Sequence, residues 1–220
     1  MAQIAEDLFL LLLDNASAQP ALDRPRRERL LAAAVLLDLA HACRIRPATA
    51  DEPVETGRLL ALGAPGPMDP VVGPAFQLLQ RRPLRPATAV KRLSKHTEDN
   101  LANYLEYMGQ IRRVRLASKR FSHPYAWPLT NRERVGRARS ALLAALFDRR
   151  PPAPPTAAII SLLHAADGLG ALLSLNDRGW RWVHARAGEI AMGSWVDEYP
   201  TAMPEVNLAI TASAVRGALD

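Results

Sequence analysis

Asp38 and His41, and again His164 and Asp167, are carboxylate–imidazole pairs set three residues apart in apolar stretches. That spacing brings both side chains of a pair to one helix face. Helical-bundle metal sites use such pairs, but they also need carboxylates facing inward from other helices. Glu6 and Asp7 are the only early candidates, so the expectation is a buried Asp–His pair that bridges helices and holds no metal. Cys43, the single cysteine, stands beside Arg44 and Arg46, cations that favour a thiolate. At the end of an apolar run it reads as core packing. No nucleophile elbow is present, and the Gly- and Pro-rich stretch 63–70 lacks the lysine of a phosphate loop. These residues support neither an enzyme nor a cofactor.

The charge distribution carries more information. Of 28 Lys and Arg and 22 Asp and Glu in 220 residues, positions 81–150 hold 17 of the basic and five of the acidic ones. A preference for Arg over Lys, 25 to 3, explains the choice of cation but not its concentration in one third of the chain. Such lopsidedness points to an anionic partner: acidic lipid, nucleic acid or an acidic protein. One cysteine excludes an internal disulfide and any cysteine-based zinc site, which suits a reducing, cytoplasmic location. The N-terminus does not read as a signal peptide, and the apolar runs 8–13 and 30–37 are too short to span a bilayer.

With 49% hydrophobic but only 5% aromatic residues, the core must rest on Leu, Ala, Val and Ile, which favours helices. The pattern predicts helices over 4–13, 28–43, 87–108, 130–147, 156–175, 178–192 and 205–219. Segment 28–43 is apolar on nearly every face, the mark of a central buried helix. In 87–108 the apolar stripe is Val90, Leu93, Thr97, Leu101, Tyr104 and Met108, closed by Gly109. Thr130-Asn-Arg-Glu133 has the spacing of a capping box. Segments 15–27 and 45–57 read as loops, and Pro151–Pro155 as a stiff connector. Between about 110 and 129 the chain predicts a β-hairpin with a basic first strand. The expected architecture is all-α, one mostly helical domain over 1–220 around a central buried helix, with that hairpin inserted.

Six blocks then carry a family resemblance: IAEDLFLLLLD at 4–14, LLDLAHACRIR at 36–46, LEYMGQIRR at 105–113, WPLTN at 127–131, LLHAADGL at 162–169 and GSW at 193–195. From Ile4 to Leu219 the chain resembles the Golgi phosphoprotein 3-like (GPP34) family, in its actinobacterial branch. The resemblance implies a non-enzymatic peripheral membrane adaptor. Eukaryotic members bind phosphatidylinositol 4-phosphate in a basic pocket, hold the cytosolic tails of glycosyltransferases, and use the hairpin for membrane contact and self-association. The partners implied here are therefore anionic membrane lipids, protein tails and a second copy of the chain.

By register, the family's pocket positions fall on Asp23, Ala32, Lys95 and Glu98, of which Lys95 alone keeps a positive charge. A carboxylate at Glu98 would repel a phosphate monoester, so the phosphoinositide pocket is expected to be poorly kept. Arg26, Arg27 and Arg29 precede the buried helix, and Lys91 lies one turn before Lys95. A looser headgroup site can be built from these five cations, with Arg29, Lys91 and Lys95 as its foremost residues, together with the hairpin's Arg112, Arg113, Arg115, Lys119 and Arg120. Phe121 is the expected membrane-contact residue at the hairpin. The same outline of helix, basic strand, turn and returning strand also fits a winged-helix nucleic-acid-binding module. Against that stand Glu98 and Asp99 on the polar face of the would-be recognition helix.

Overall fold

The computed structural model describes residues 3–63, 66–116, 125–196 and 203–219. Among them are eight α-helices: α1 (Gln3–Leu13), α2 (Arg24–His41), α3 (Gly73–Arg81), α4 (Pro86–Tyr107), α5 (Glu133–Phe147), α6 (Pro154–Ala165), α7 (Asp177–Ala191) and α8 (Met203–Arg216). Two small antiparallel pairs complete the described elements, β1 (Ile45–Pro47) with β2 (Leu59–Ala61), and β3 (Val114–Arg115) with β4 (Tyr125–Ala126). The fold is mostly helical with a β-hairpin, as expected.

Helix α2 is the centre. Every residue from Leu30 to Ala40 is buried, and α1, α4, α6 and α8 all pack on it. It begins at Arg24, earlier than its apolar pattern indicates. Asp23 caps it by accepting the Arg26 N–H at 3.1 Å, and Pro25 sits in the first turn. Proline there loses no helix bond and has its φ preset for the helix, so the polar stretch before Glu28 is helix rather than loop.

Helix α1 is almost wholly buried. Its N-terminal N–H groups lack intrahelical acceptors, and Asp38 of α2 supplies them. Its Oδ1 accepts from Ile4 N–H at 2.8 Å and its Oδ2 from Ala5 N–H at 2.9 Å. Burial pushes the Asp38 carboxyl up to about 8, against the pull of those two N–H groups. The bridge expected from Asp38 is therefore real, but its partner is the α1 backbone and not His41.

Several expectations need correction. Residues 45–61 form a second β pair, and Leu59 extends it by bridging to Leu84. Helix α3 starts with Gly73-Pro74 and was hidden by the Pro-rich stretch before it. Pro154 and Pro155 open α6 instead of ending a connector, and α6 stops at Ala165, where Asp167 takes φ +48°. The capping box does not form. Thr130 donates to the Gly109 carbonyl, and Asn131 Oδ1 accepts the Glu133 N–H at 2.8 Å. Gly109, at φ +67°, turns the chain out of α4 into the hairpin, a conformation that favours glycine. Ile111 bridges Leu129 at the hairpin base, followed by Val114 opposite Ala126 and Arg115 opposite Tyr125.

At the other side of the core, α6 presents His164 to α7. Its ring lies 5.7 Å from that of His184, which lies 5.5 Å from Trp180. Burial lowers the His164 pKa, aided by His184 and Arg216 and opposed by Asp167. Nδ1 of His164 is buried without a partner among the described residues.

Two outcomes follow. Asp38→Ala strands two buried N–H groups and should lower the unfolding free energy by about 2–6 kcal/mol, with Asp38→Asn costing less; urea titration measures both. Because the folded His164 takes up a proton less readily than the unfolded one, its contribution to stability is lost as pH falls below about 6.5. His164→Gln should therefore show a flatter loss of stability between pH 7 and 5 than the unsubstituted chain.

Candidate functional site

The basic span owes its shape to a tight turn between two helices. Helix α3 ends at Arg81, and α4 begins at Pro86 behind its N-cap Arg85. Between them Leu84 is buried, exchanging backbone hydrogen bonds with Leu59 at 2.8 and 3.4 Å. Pinning Leu84 inward leaves Arg81, Arg82 and Arg85 exposed on either side. One turn into α4 follow Lys91, Arg92 and Lys95, outward because Ala89, Val90, Thr97, Leu101 and Leu105 face the core. Thr97 sits in that apolar stripe by donating its hydroxyl to the Leu93 carbonyl at 2.8 Å.

Ala87, Thr88, Lys91, Arg92 and Lys95 line an open pocket of about 560 Å³ at the α4 N-terminus. No described side chain caps that terminus, so its free N–H groups and the helix dipole add positive potential beside the cations. Among the described residues, Arg81, Arg82, Lys91, Arg92 and Lys95 make no ion pair. Arg85 is different, since Glu55 takes its guanidinium.

The far end of α4 carries a second group. Tyr107 is 86% exposed and Met108 51%, with Arg112 and Arg115 exposed on the hairpin just beyond. Met108 was expected in the buried stripe. Helix α4 ends at Tyr107, however, so Met108 leaves the helical period and faces solvent. Arg113 is tethered. It donates to Asn103 Oδ1 at 2.6 Å, approaches Glu106 at 3.7 Å and lies over the Tyr125 ring at 5.5 Å. Lys119, Arg120 and Phe121 lie outside the described residues. At 1.5 Å per residue, Lys95 and Met108 are separated by roughly 20 Å along the helix. The two groups cannot meet on one headgroup, although one extended anionic surface can engage both.

The family pocket positions come out differently. Asp23 spends its carboxylate on the α2 cap and on Arg26, whose N–H and guanidinium hold its pKa below the usual carboxylate range. Ala32 is fully buried in the core. Glu98 forms a two-pronged pair with Arg27, Nε to Oε2 at 3.0 Å and Nη2 to Oε1 at 2.9 Å. Arg27 is only 1% exposed and also donates to the Leu22 carbonyl at 2.8 Å. This cation, placed by sequence among those free to meet a headgroup, already has an anion supplied by the protein. Arg26 is likewise engaged with Asp23, while Arg29 is half-buried and in no ion pair among the described residues. No local pattern signals the Arg27–Glu98 pair, which joins residues 71 apart in sequence.

A similar pairing absorbs Glu6 and Asp7. Arg134 of α5 donates to Glu6 Oε2 at 2.5 Å and to Asp7 Oδ1 at 2.6 Å. Burial raises both carboxyl pKa values while Arg134 opposes the rise. Arg139 binds Asp14 in the same way at 2.9 Å. Among the described residues no group of three or more His, Cys, Asp or Glu is placed to hold a metal ion. No described helix is long and apolar enough to cross a membrane.

Removing one partner of the Arg27–Glu98 pair leaves a buried charge. Glu98→Ala should destabilise the fold by about 3–5 kcal/mol, and Arg27→Met/Glu98→Leu by less than Glu98→Ala alone; denaturant unfolding of the three chains gives the comparison.

A family model described as Golgi phosphoprotein 3 (GPP34) matches residues 4–203. No curated protein matches the chain.

Proposed function

The chain belongs to the Golgi phosphoprotein 3 (GPP34) family, and we propose that it acts as a peripheral adaptor docking on membranes that carry anionic lipid headgroups. The observation that carries this reading is the sorting of its cations. Arg27, Arg46, Arg134, Arg139 and Arg186 all have carboxylate partners within the fold. Arg81, Arg82, Lys91, Arg92, Lys95, Arg112 and Arg115 are exposed and have none among the described residues. Unpaired surface cations repel one another unless an anionic partner neutralises them. Each basic residue near an anionic bilayer contributes about 1 kcal/mol, and exposed Tyr107 and Met108 add apolar contact beside Arg112.

The headgroup is recognised by charge more than by shape. Selective capture of a phosphate monoester needs several cations converging on it, whereas Glu98 already occupies Arg27, and Lys95 offers a point charge. The reading implies a cytoplasmic protein attached peripherally to membrane, acting without catalysis.

Co-sedimentation with vesicles containing phosphatidylinositol or cardiolipin, at low and high salt, tests the proposal. Binding should weaken with salt and fall about 30-fold in Lys91→Ala/Lys95→Ala, at about 1 kcal/mol for each residue. Phosphatidylinositol 4-phosphate should bind no more than a few-fold better than lipids of equal charge. Tight binding of duplex DNA with vesicles ignored would replace this reading by the winged-helix one.

A further inference from the structure

Helix α7 buries Val183, Arg186, Ala187 and Ile190 against α5 and α6. Its opposite side carries Arg178, Arg181, Trp182 and Ala185 at i, i+3, i+4 and i+7, the spacing of a continuous helical strip. That strip faces solvent instead of the core. Trp182 remains 40% exposed although the Phe147 ring at the end of α5 lies against it, centroids 6.0 Å apart. With Asn176 and Gly179, these side chains line a shallow depression of about 810 Å³. Asn176 is committed to the helix, accepting the Gly179 N–H at 2.9 Å.

The electrostatics of the depression are one-sided. Its lining holds two guanidinium groups and no carboxylate. Arg178 and Arg181 have no ion pair among the described residues, although the nearby cations Arg149 and Arg186 share Glu189 at 2.8 and 2.9 Å. Arg side chains present planar donor forks that match carboxylates. An indole lining one depression with two such forks also has the make-up of a protein–protein hot spot, where Trp and Arg are enriched.

We propose that this strip is a docking surface for a second protein, engaged through a short segment with Asp or Glu beside one bulky apolar residue. The apolar residue would cover the Trp182–Phe147 floor, and the carboxylates would meet Arg178 and Arg181. A protein segment fits this surface because the depression, about 810 Å³, is the size of a few side chains and combines one aromatic pair with two guanidinium groups and no carboxylate. The position is also separate from the cationic face of α4. Helix α7 packs on α5 and α6, and α2 lies between α6 and α4. The inference stands independently of the lipid reading.

The test is selection of a random 12-residue peptide phage library on the full chain, followed by binding measurements on the synthesised winners. Expected winners place Asp or Glu within a few positions of Trp, Phe or Leu, and their binding weakens with salt. Trp182→Ala should weaken them at least 10-fold, while Lys91→Glu/Lys95→Glu should leave them unchanged. Arg178→Glu/Arg181→Glu alters only exposed charges, so the fold should persist, as circular dichroism would record. On that variant the selection should turn to Lys- and Arg-rich peptides. Basic or uncharged winners on the unsubstituted chain, no enrichment, or equal binding by both α7 variants would overturn the proposal. So would quenching by brominated-lipid vesicles that disappears in Trp182→Phe, which would assign the strip to a membrane.

Discussion

The Asp38 carboxyl group, buried between α1 and α2 and accepting two N–H groups of α1, makes the interaction on which much of this architecture rests. A helix can be buried on every side only if its N-terminal N–H groups find acceptors away from water. Asp38 provides two, from the middle of the most buried helix in the molecule. Seating α1 there carries Glu6 and Asp7 into the interior, where each carboxylate needs a counter-charge. Arg134 answers both and ties α5 to α1. One buried carboxyl group thereby sets the position of a helix, and that helix determines which arginine of α5 becomes structural.

The same logic separates the two kinds of cation in this Arg-rich chain. An arginine within reach of a carboxylate in a poorly solvated place is part of the fold, since leaving either charge unpaired is costly. Arg27 with Glu98 and Arg134 with Glu6 and Asp7 belong to that class. An exposed arginine or lysine with no partner contributes little to stability and remains available to an outside anion. This division leaves the α3–α4 turn, the first half of α4, the hairpin base and the outer side of α7 with accessible cations. It also removes from that set Arg27, which composition alone would have assigned to it.

Core helices α2 and α6 hold two chemically different faces apart. Helix α4 shows unpaired cations around an uncapped helix terminus, and α7 shows an aromatic floor edged by arginine. With that separation, occupancy of one face leaves the other open.

Local patterning was enough to read several features from the chain. The apolar wrap of 30–40 marks α2 as central, the three-and-four spacing from Val90 to Tyr104 defines the inner face of α4, and the Gly109 turn announces the hairpin. The concentration of basic residues in 81–150 was likewise visible, because net charge is a property of composition. Other features depend on residues far apart meeting in space. Nothing near Arg27 in the sequence distinguishes it from Arg26 or Arg29; only the packing of α4 on α2 brings Glu98 to it and changes a candidate ligand-binding cation into a structural one. Met108 fits the helical period by count, yet the helix ends one residue earlier. Trp180 and Trp182 stand two residues apart on α7, and which tryptophan is left uncovered is decided by where α5 ends. Sequence thus determined the elements and their charge, since periodicity and composition act over a few turns. Tertiary structure decided which charges and rings remain free, since burial and pairing depend on contacts between segments that share no local pattern.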